Sequence, residues 1–372
     1  MTGPDTENPY AFYAERLKNN PVAWDEAAGC WTIASYAACR MILSDPAAEI
    51  PALNGEGQLQ LNEDAARITA GLVRLNNPPR HEPLRQVAQK IFSMITAVSI
   101  PEIVDELVGP VPAGEGQTID WVGRVSMKLP VLAIVKGLGL GPGDCEFVLA
   151  NIDRLVMLMA PDKNAGQVAA INEVAGDLAA LSEKAVAALG FSAEARELAI
   201  ANLLGLIIQS YDAGRGLLSN TLLQVLANGG LQERREEDLF QRSVMETLRW
   251  DPPVHHTRRV ATQDLVAGGQ LIKKGQSIIV MLAAANRDPM VFADPDRYDI
   301  DRRNNHEHLT FGAGHHQCLA AYFSIHMTSA AIAHLFRRYG PVSLAGEGLS
   351  YEPRWNCRLP KEMRIMLRGL LS

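Results

Sequence analysis

The chain has 372 residues, 47% of them hydrophobic and 21% charged, with a net charge of -7 and a pI near 5.8. This is enough apolar material for a substantial core, in one large domain or two ordinary ones. The acidic balance, with no block of five or more basic residues, argues against a nucleic-acid binder.

The N-terminus is polar and acidic, with neither a signal-peptide nor a membrane-anchor pattern. Residues 11–19 read as a helix, Cys30-Trp31-Thr32-Ile33 as a short strand, and residues 36–43 as a second helix. Residues 46–63, rich in Pro, Gly, Asn and Ala, read as an irregular loop. From Val87 onward helical periodicity dominates, broken at residues 114–116, 139–143 and 229–230. A long, mostly apolar helix is expected over residues 199–226, closed by Asn228-Gly229-Gly230. Its most apolar run, residues 203–208, is far too short to span a bilayer, so no membrane contact is expected. After Pro252-Pro253, strands return at residues 259–261 and 277–280. Residues 319–338, without Gly or Pro, read as the last long helix. The fold class is mainly α with small β-sheets (α+β), as one domain over residues 1–372, with a division near Gly229 as the alternative. Five cysteines, Cys30, Cys39, Cys145, Cys318 and Cys357, are odd in number and lack pair spacing. That fits a reducing compartment, and a cytoplasmic location is expected.

Residues 309–320 read Leu-Thr-Phe-Gly-Ala-Gly-His-His-Gln-Cys-Leu-Ala. Cys318 sits where a loop enters a helix, and the helix N-terminus favours a thiolate through its partial positive charge and free N–H groups. Gly312 and Gly314 let the loop lie flat against a bulky planar ligand. An axial ligand to a flat cofactor is one reading, and a small buried hydrophobe is the plain alternative. Zinc is a third, because His306, His308, His315, His316 and Cys318 fall within thirteen residues, although no C-x-x-C pair occurs.

The pattern Phe311-Gly312-x-Gly314-x-His316-x-Cys318-x-Ala320 resembles the haem-binding signature of the cytochrome P450 family, which more often carries glycine where Ala320 stands. The resemblance implies the cytochrome P450 fold, haem b (iron protoporphyrin IX) as cofactor, and Cys318 as the iron ligand, with Phe311, Gly312, His316 and Ala320 around it. Glu246 and Arg249 are three apart and share a helix face with apolar neighbours, so a pair there needs further partners. The family supplies a Pro-x-Arg-aromatic turn, matched by Pro295-Asp-Arg297-Tyr298, and so implies a network of Glu246, Arg249 and Arg297 that supports the cysteine loop. It also implies that His81, Arg85, Arg259 and His316 meet the two haem carboxylates.

The opposite haem face departs from the family. In the long helix the run Gln209-Ser-Tyr-Asp-Ala-Gly-Arg-Gly216 interrupts the apolar pattern, and buried polar groups are costly without partners. The family places Ala-Gly-x-acid-Thr-Thr here, which aligns Asp212 with the acid and Ala213 and Gly214 with the threonines. Proton delivery then falls to Asp212 through water, with Ser210, Tyr211 or a substrate hydroxyl supplying the missing group. Arg215 is read as a salt bridge to another helix, or as a contact for an acidic substrate group. Tyr211, Val254, His255 and Thr257 are the candidate substrate walls, joined by Trp355, Asn356 and Cys357.

The implied function is a monooxygenase acting on a small organic molecule with molecular oxygen. Electrons would come from a separate donor of the ferredoxin or flavodoxin type with its reductase, docking near His306, His315 and Arg302. An oxidative-coupling or peroxide-driven enzyme is the alternative suggested by Ala213 and Gly214. A noncatalytic haem-binding sensor is the second alternative.

Overall fold

The computed structural model describes residues 5–53, 55–95, 98–228, 230–231, 236, 238–346 and 348–369. In chain order the main elements are α1 (Tyr10–Asn19), β1 (Val22–Asp25), β2 (Cys30–Ile33), α2 (Tyr36–Ser44), β3 (Ala48–Glu49), α3 (Glu56–Leu59), α4 (Glu63–Gly71), α5 (His81–Ser93), α6 (Ile100–Val108) and β4 (Gly116–Asp120). Next come α7 (Leu129–Gly137), α8 (Pro142–Val156), α9 (Ala165–Ala187), α10 (Ala193–Ala227), α11 (Leu239–Trp250), β5 (Thr257–Ala261), β6 (Leu265–Ala267), β7 (Gln270–Ile272), β8 (Ser277–Val280) and α12 (Leu282–Ala285). The chain closes with α13 (Ala321–Arg338), β9 (Ser343–Leu344) and β10 (Arg364–Arg368). Two compact units share these elements: residues 1–49, 100–129 and 212–372, and residues 50–99 and 130–211.

The first unit is built on a five-stranded sheet of order β1-β2-β8-β5-β3. β2 is buried at all four positions, as a strand covered on both faces must be, and it runs parallel to β8 while β5 returns antiparallel. On one side Ile33, Ile278 and Val280 pack with Cys39 and Ile42 of α2 and with Phe292. The helical partner of this unit is the packing of α11 and α6 against α13. The stretch Gly314–Arg338, which comprises the turn before Cys318 and α13, is the one described segment long and apolar enough to cross a membrane. A second sheet, β4-β10-β9, was not anticipated, because residues 114–116 read only as a helix break and β4 is mostly solvent-facing.

The second unit is helical. Asn62 and Asn164 cap α4 and α9 by accepting from Ala65 N and Gln167 N, both at 2.9 Å. α10 enters this unit at Asn202, whose side chain donates to Gly71 O at 3.0 Å and accepts from Val73 N at 3.1 Å. Its 35 residues make it about 52 Å long at 1.5 Å per residue, six residues longer at the start than the pattern had suggested. The expected cap at its end includes Gly229, which lies outside the described residues; Gly230 has φ +89°.

Candidate active site around Cys318

The cysteine loop is fastened from behind. Glu246 and Arg249 on α11 are fully buried and pair through both carboxylate oxygens, Arg249 Nη2 at 2.6 Å and Nε at 3.0 Å. The remaining donors of Arg249 reach the carbonyls of Pro295 (2.8 Å), Arg297 (3.0 Å) and Asn286 (3.2 Å), so all five guanidinium donors have acceptors. Burial presses the Arg249 pKa down, and Glu246 opposes it. Glu246 also accepts from Asp299 N at 3.0 Å and from Arg302 Nε at 3.4 Å.

Arg297 takes part only through its main chain; its side chain is exposed, and Arg302 supplies the third charged group. The reason is geometric, since the turn at 294–297 aims its carbonyls at Arg249 and leaves the Arg297 side chain outside. Arg302 likewise is not a surface cation for a docking partner. It donates to Ala293 O at 2.5 Å and Asp294 O at 3.0 Å, and its side chain is 8% exposed. His306 and His315 are exposed.

Asn286 connects this network to the loop, a role the sequence did not reveal. Its carbonyl takes Arg249, its side-chain oxygen accepts from Leu309 N at 2.7 Å, and its side-chain nitrogen donates to the Thr310 hydroxyl at 2.8 Å. From Thr310 the loop turns with Gly312 N on Leu309 O at 2.7 Å and Cys318 N on Phe311 O at 2.8 Å. Gly314 has φ +69°, and a Cβ there would stand 2.5 Å from Leu43 O, so glycine is required both for backbone angle and for space. Phe311 packs against Leu217, Val244 and Leu248.

The Cys318 thiol is exposed, whereas Cys30, Cys39 and Cys145 are buried, and none of the five cysteines is in a disulfide. Burial raises the thiols of Cys30 and Cys39, which makes them poor thiolates. Among the described residues no group of three or more His, Cys, Asp or Glu side chains is arranged to hold a metal ion by itself, so the histidines around Cys318 do not form a zinc cage. His308 is buried against Phe311 with its pKa pushed down to about 4 by burial, and it accepts from Thr310 N at 3.2 Å.

The other candidates fall as follows. Thr257, Arg259 and Ala261 share one face of β5, and Arg259, buried, donates to the Thr257 hydroxyl at 3.1 Å. His316 lies in the turn Gly314–His316 before Cys318. Ala320 is the N-cap of α13. His81 opens α5 and is buried, with Arg85 one turn on and partly exposed.

Two of the candidate substrate walls have hydrogen-bond partners within the protein. Tyr211 is buried and its hydroxyl meets Asp153 at 3.3 Å. His255 is buried with Nδ1 2.8 Å from the Tyr13 hydroxyl, and burial together with Arg358 drives its pKa well below the usual value. Both rings fill core positions, Tyr211 with its hydroxyl paired and His255 with Nδ1 paired while its Nε2 is buried without a hydrogen-bond partner. Val254 bridges Cys357, and His256 packs on Trp355 at 3.9 Å between ring centroids, so the segment at 355–357 does run beside 254–257.

On α10, the interrupting polar groups are satisfied locally. Ser210 donates to Ile207 O at 2.8 Å and Gln209 to Gly205 O at 3.0 Å. Asp212 is held by Arg215 at 3.0 Å, in its own helix rather than another, and by Arg354 at 2.9 Å, a contact 142 residues away that the sequence did not reveal.

An exposed soft sulfur beside two glycines of positive φ, a buried guanidinium at Arg259 and an imidazole at His316 are the donor chemistry that iron and two carboxylates require. Haem therefore fits the residues present. A sequence profile of the family described as Cytochrome P450 matches residues 229–347. Cytochrome P450 GfsF of Streptomyces halstedii is 29% identical over 357 residues, 90% of this chain and 85% of that protein. The biotin biosynthesis cytochrome P450 of Bacillus subtilis (strain 168) is 26% identical over 382 residues, 96% of each. The crystal structure of CalO2 superposes with a TM-score of 0.87 at 24% identity, covering 99% of this chain and 100% of that one. The chain belongs to the cytochrome P450 family, of bacterial type, with haem b as its cofactor and the haem-dependent monooxygenase chemistry of that family as its general activity.

Proposed function

We propose that residues 1–372 act as one haem-thiolate monooxygenase domain, cytoplasmic, that oxidises a small organic substrate with electrons from a separate ferredoxin- or flavodoxin-type donor and its reductase. The observation that carries this reading is the exposed Cys318 on a loop pinned through Asn286 to the buried Glu246–Arg249 pair. Bound haem supplies the redox-active iron for the overall reaction RH + O2 + 2e- + 2H+ → ROH + H2O.

The protein's part is positioning. Cys318 is the ligand, and the loop geometry holds its sulfur in place. Arg259 and His316, with His81 and Arg85, meet the cofactor carboxylates. Asp212 is the proton-handling group on α10, oriented by Arg215 and Arg354. Val254 and Thr257 border the substrate. With labelled dioxygen, NADPH and a ferredoxin–ferredoxin reductase pair, one labelled oxygen atom should enter the product. Failure to incorporate label from dioxygen while turnover proceeds would contradict the reading.

A second reading, oxidative coupling or peroxide-driven chemistry, is favoured by one local fact. Ala213 and Gly214 bring no hydroxyl, and that of Ser210 is turned onto Ile207 O. Turnover with hydrogen peroxide and no reductase, faster than with the donor pair, would select it.

A further inference from the structure

We propose that Arg358 is a positioning residue for residues 251–259, and that it acts by coupling this segment to residues Thr6–Tyr13. The proposal rests on the monooxygenase reading above, in which the segment carries the substrate border (Val254, Thr257) and a cofactor clamp (Arg259). The segment leaves α11 through Asp251-Pro252-Pro253, and neither proline has an N–H to donate. Its place is therefore fixed through acceptors. Asp251 O accepts from Asn220 Nδ2 at 3.1 Å and Pro253 O from Arg358 N at 2.9 Å, while Asn220 Nδ2 also reaches Arg358 O at 3.3 Å. His255 N donates to Asn356 O at 2.9 Å, which sets residues 254–257 beside 355–357.

The Arg358 side chain ties the same turn to the amino-terminal residues. Its Nε lies 2.8 Å from Asp251 Oδ1, in an ion pair whose side chains are 11% and 2% exposed, and Nη1 donates to Thr6 O and Glu7 O, both at 3.1 Å. The guanidinium lies 3.7 Å from the Tyr351 ring centroid, and Tyr351 N donates to Glu7 at 3.2 Å. From α1, the Tyr10 hydroxyl donates to Asp251 and the Tyr13 hydroxyl lies 2.8 Å from His255 Nδ1. Arg358 is thus bonded to the segment through its main chain and to the residues behind it through its side chain. A buried carboxylate that loses a donor is costly, so without Arg358 the turn at 251–253 shifts to satisfy Asp251 in another way. Val254 is the next residue in the chain, and a site keeps its fit only when its supports hold it to within about 0.5 Å.

The test uses the haem-loaded full chain and two probes, imidazole and 4-phenylimidazole, each followed by the Soret shift that a ring nitrogen on the iron produces. Imidazole reports the iron alone, whereas the phenyl group must also fit the border at 254–257. Arg358→Gln is expected to weaken 4-phenylimidazole about tenfold, the scale of one charge-assisted hydrogen bond, and to leave imidazole within about twofold. Arg358→Lys keeps a charge beside Asp251 without the fork, and should recover part of the loss. Tyr10→Phe and Tyr13→Phe, each one hydroxyl smaller, should weaken 4-phenylimidazole about threefold without moving imidazole, and they decide the matter where Arg358→Gln fails to fold. An equal loss for both probes, an unchanged ratio in every variant, or no recovery in Arg358→Lys would each overturn the proposal. A chain that takes up no haem would overturn the monooxygenase reading alone. The positioning role is then read from hydrogen exchange of peptides over 253–258 and 354–359, expected to be about tenfold faster in Arg358→Gln and in Tyr10→Phe, and unchanged exchange would overturn it.

Discussion

At the scale of single residues, Arg249 is the side chain with the most at stake. Removing it leaves Glu246 charged and fully buried, so Arg249→Ala should cost about 3–5 kcal/mol, read as a lowered urea midpoint at unchanged slope. A loss under about 1 kcal/mol would mean the pair is better solvated than its burial indicates. The buried histidines give a pH signature. His308 and His256 have folded pKa values near 4 and 3, both depressed by burial from 6.5. Between those values and 6.5 the unfolded chain binds more protons than the folded one. Stability therefore rises with pH across that window and is lost on acidification, by up to about 1.4 kcal/mol per pH unit for each histidine. Denaturation of His308→Asn between pH 4.5 and 6 should show a shallower slope than the parent, and an unchanged slope would show that His308 is not held neutral.

Which residues could be found in the sequence follows from what they touch. Cys318, Gly312 and Gly314 stand close together in the chain, and Glu246 and Arg249 share a helix turn, so spacing alone exposes them. Asn286 and Arg302 work largely through main-chain carbonyls, and backbone acceptors leave no pattern in side-chain identity. Arg354 meets a partner 142 residues away. Tyr211 and His255 show why the sequence leaves such positions open: a polar aromatic residue in an apolar run signals a pocket and a core position equally well.

At the scale of elements, α10 carries the chain's departure from its family. Its polar middle is organised by ion pairs where a hydroxyl would be expected, and its close approach to Pro253 and Leu359 depends on Gly216. Gly216→Val should force that contact apart and cost about 1–3 kcal/mol, measured as a lowered urea midpoint. Ala213→Thr should raise the fraction of NADPH electrons recovered in product and Asp212→Asn should lower it; no change in either would remove Asp212 from proton delivery. Helices and the buried strands β2 and β8 were legible because burial gives them long periodic or nearly continuous apolar patterns. β4, β9 and β10 were not, since short strands with exposed faces carry little hydrophobic signal.

At the scale of the whole molecule, a mainly helical chain with small sheets holds one exposed cysteine, the proposed haem ligand, at the end of a braced loop. The buried pair on α11, the carbonyls of the 294–297 turn and Asn286 all converge on the loop that ends at Cys318. The direct measurement is the absorption spectrum of the haem-reconstituted protein, reduced and saturated with carbon monoxide, for the parent and for Cys318→Ser. The parent should show the strongly red-shifted Soret band of thiolate-ligated haem, and the variant should lose it while keeping its fold. A parent that takes up no haem, or a red-shifted band that persists in Cys318→Ser, would contradict the account.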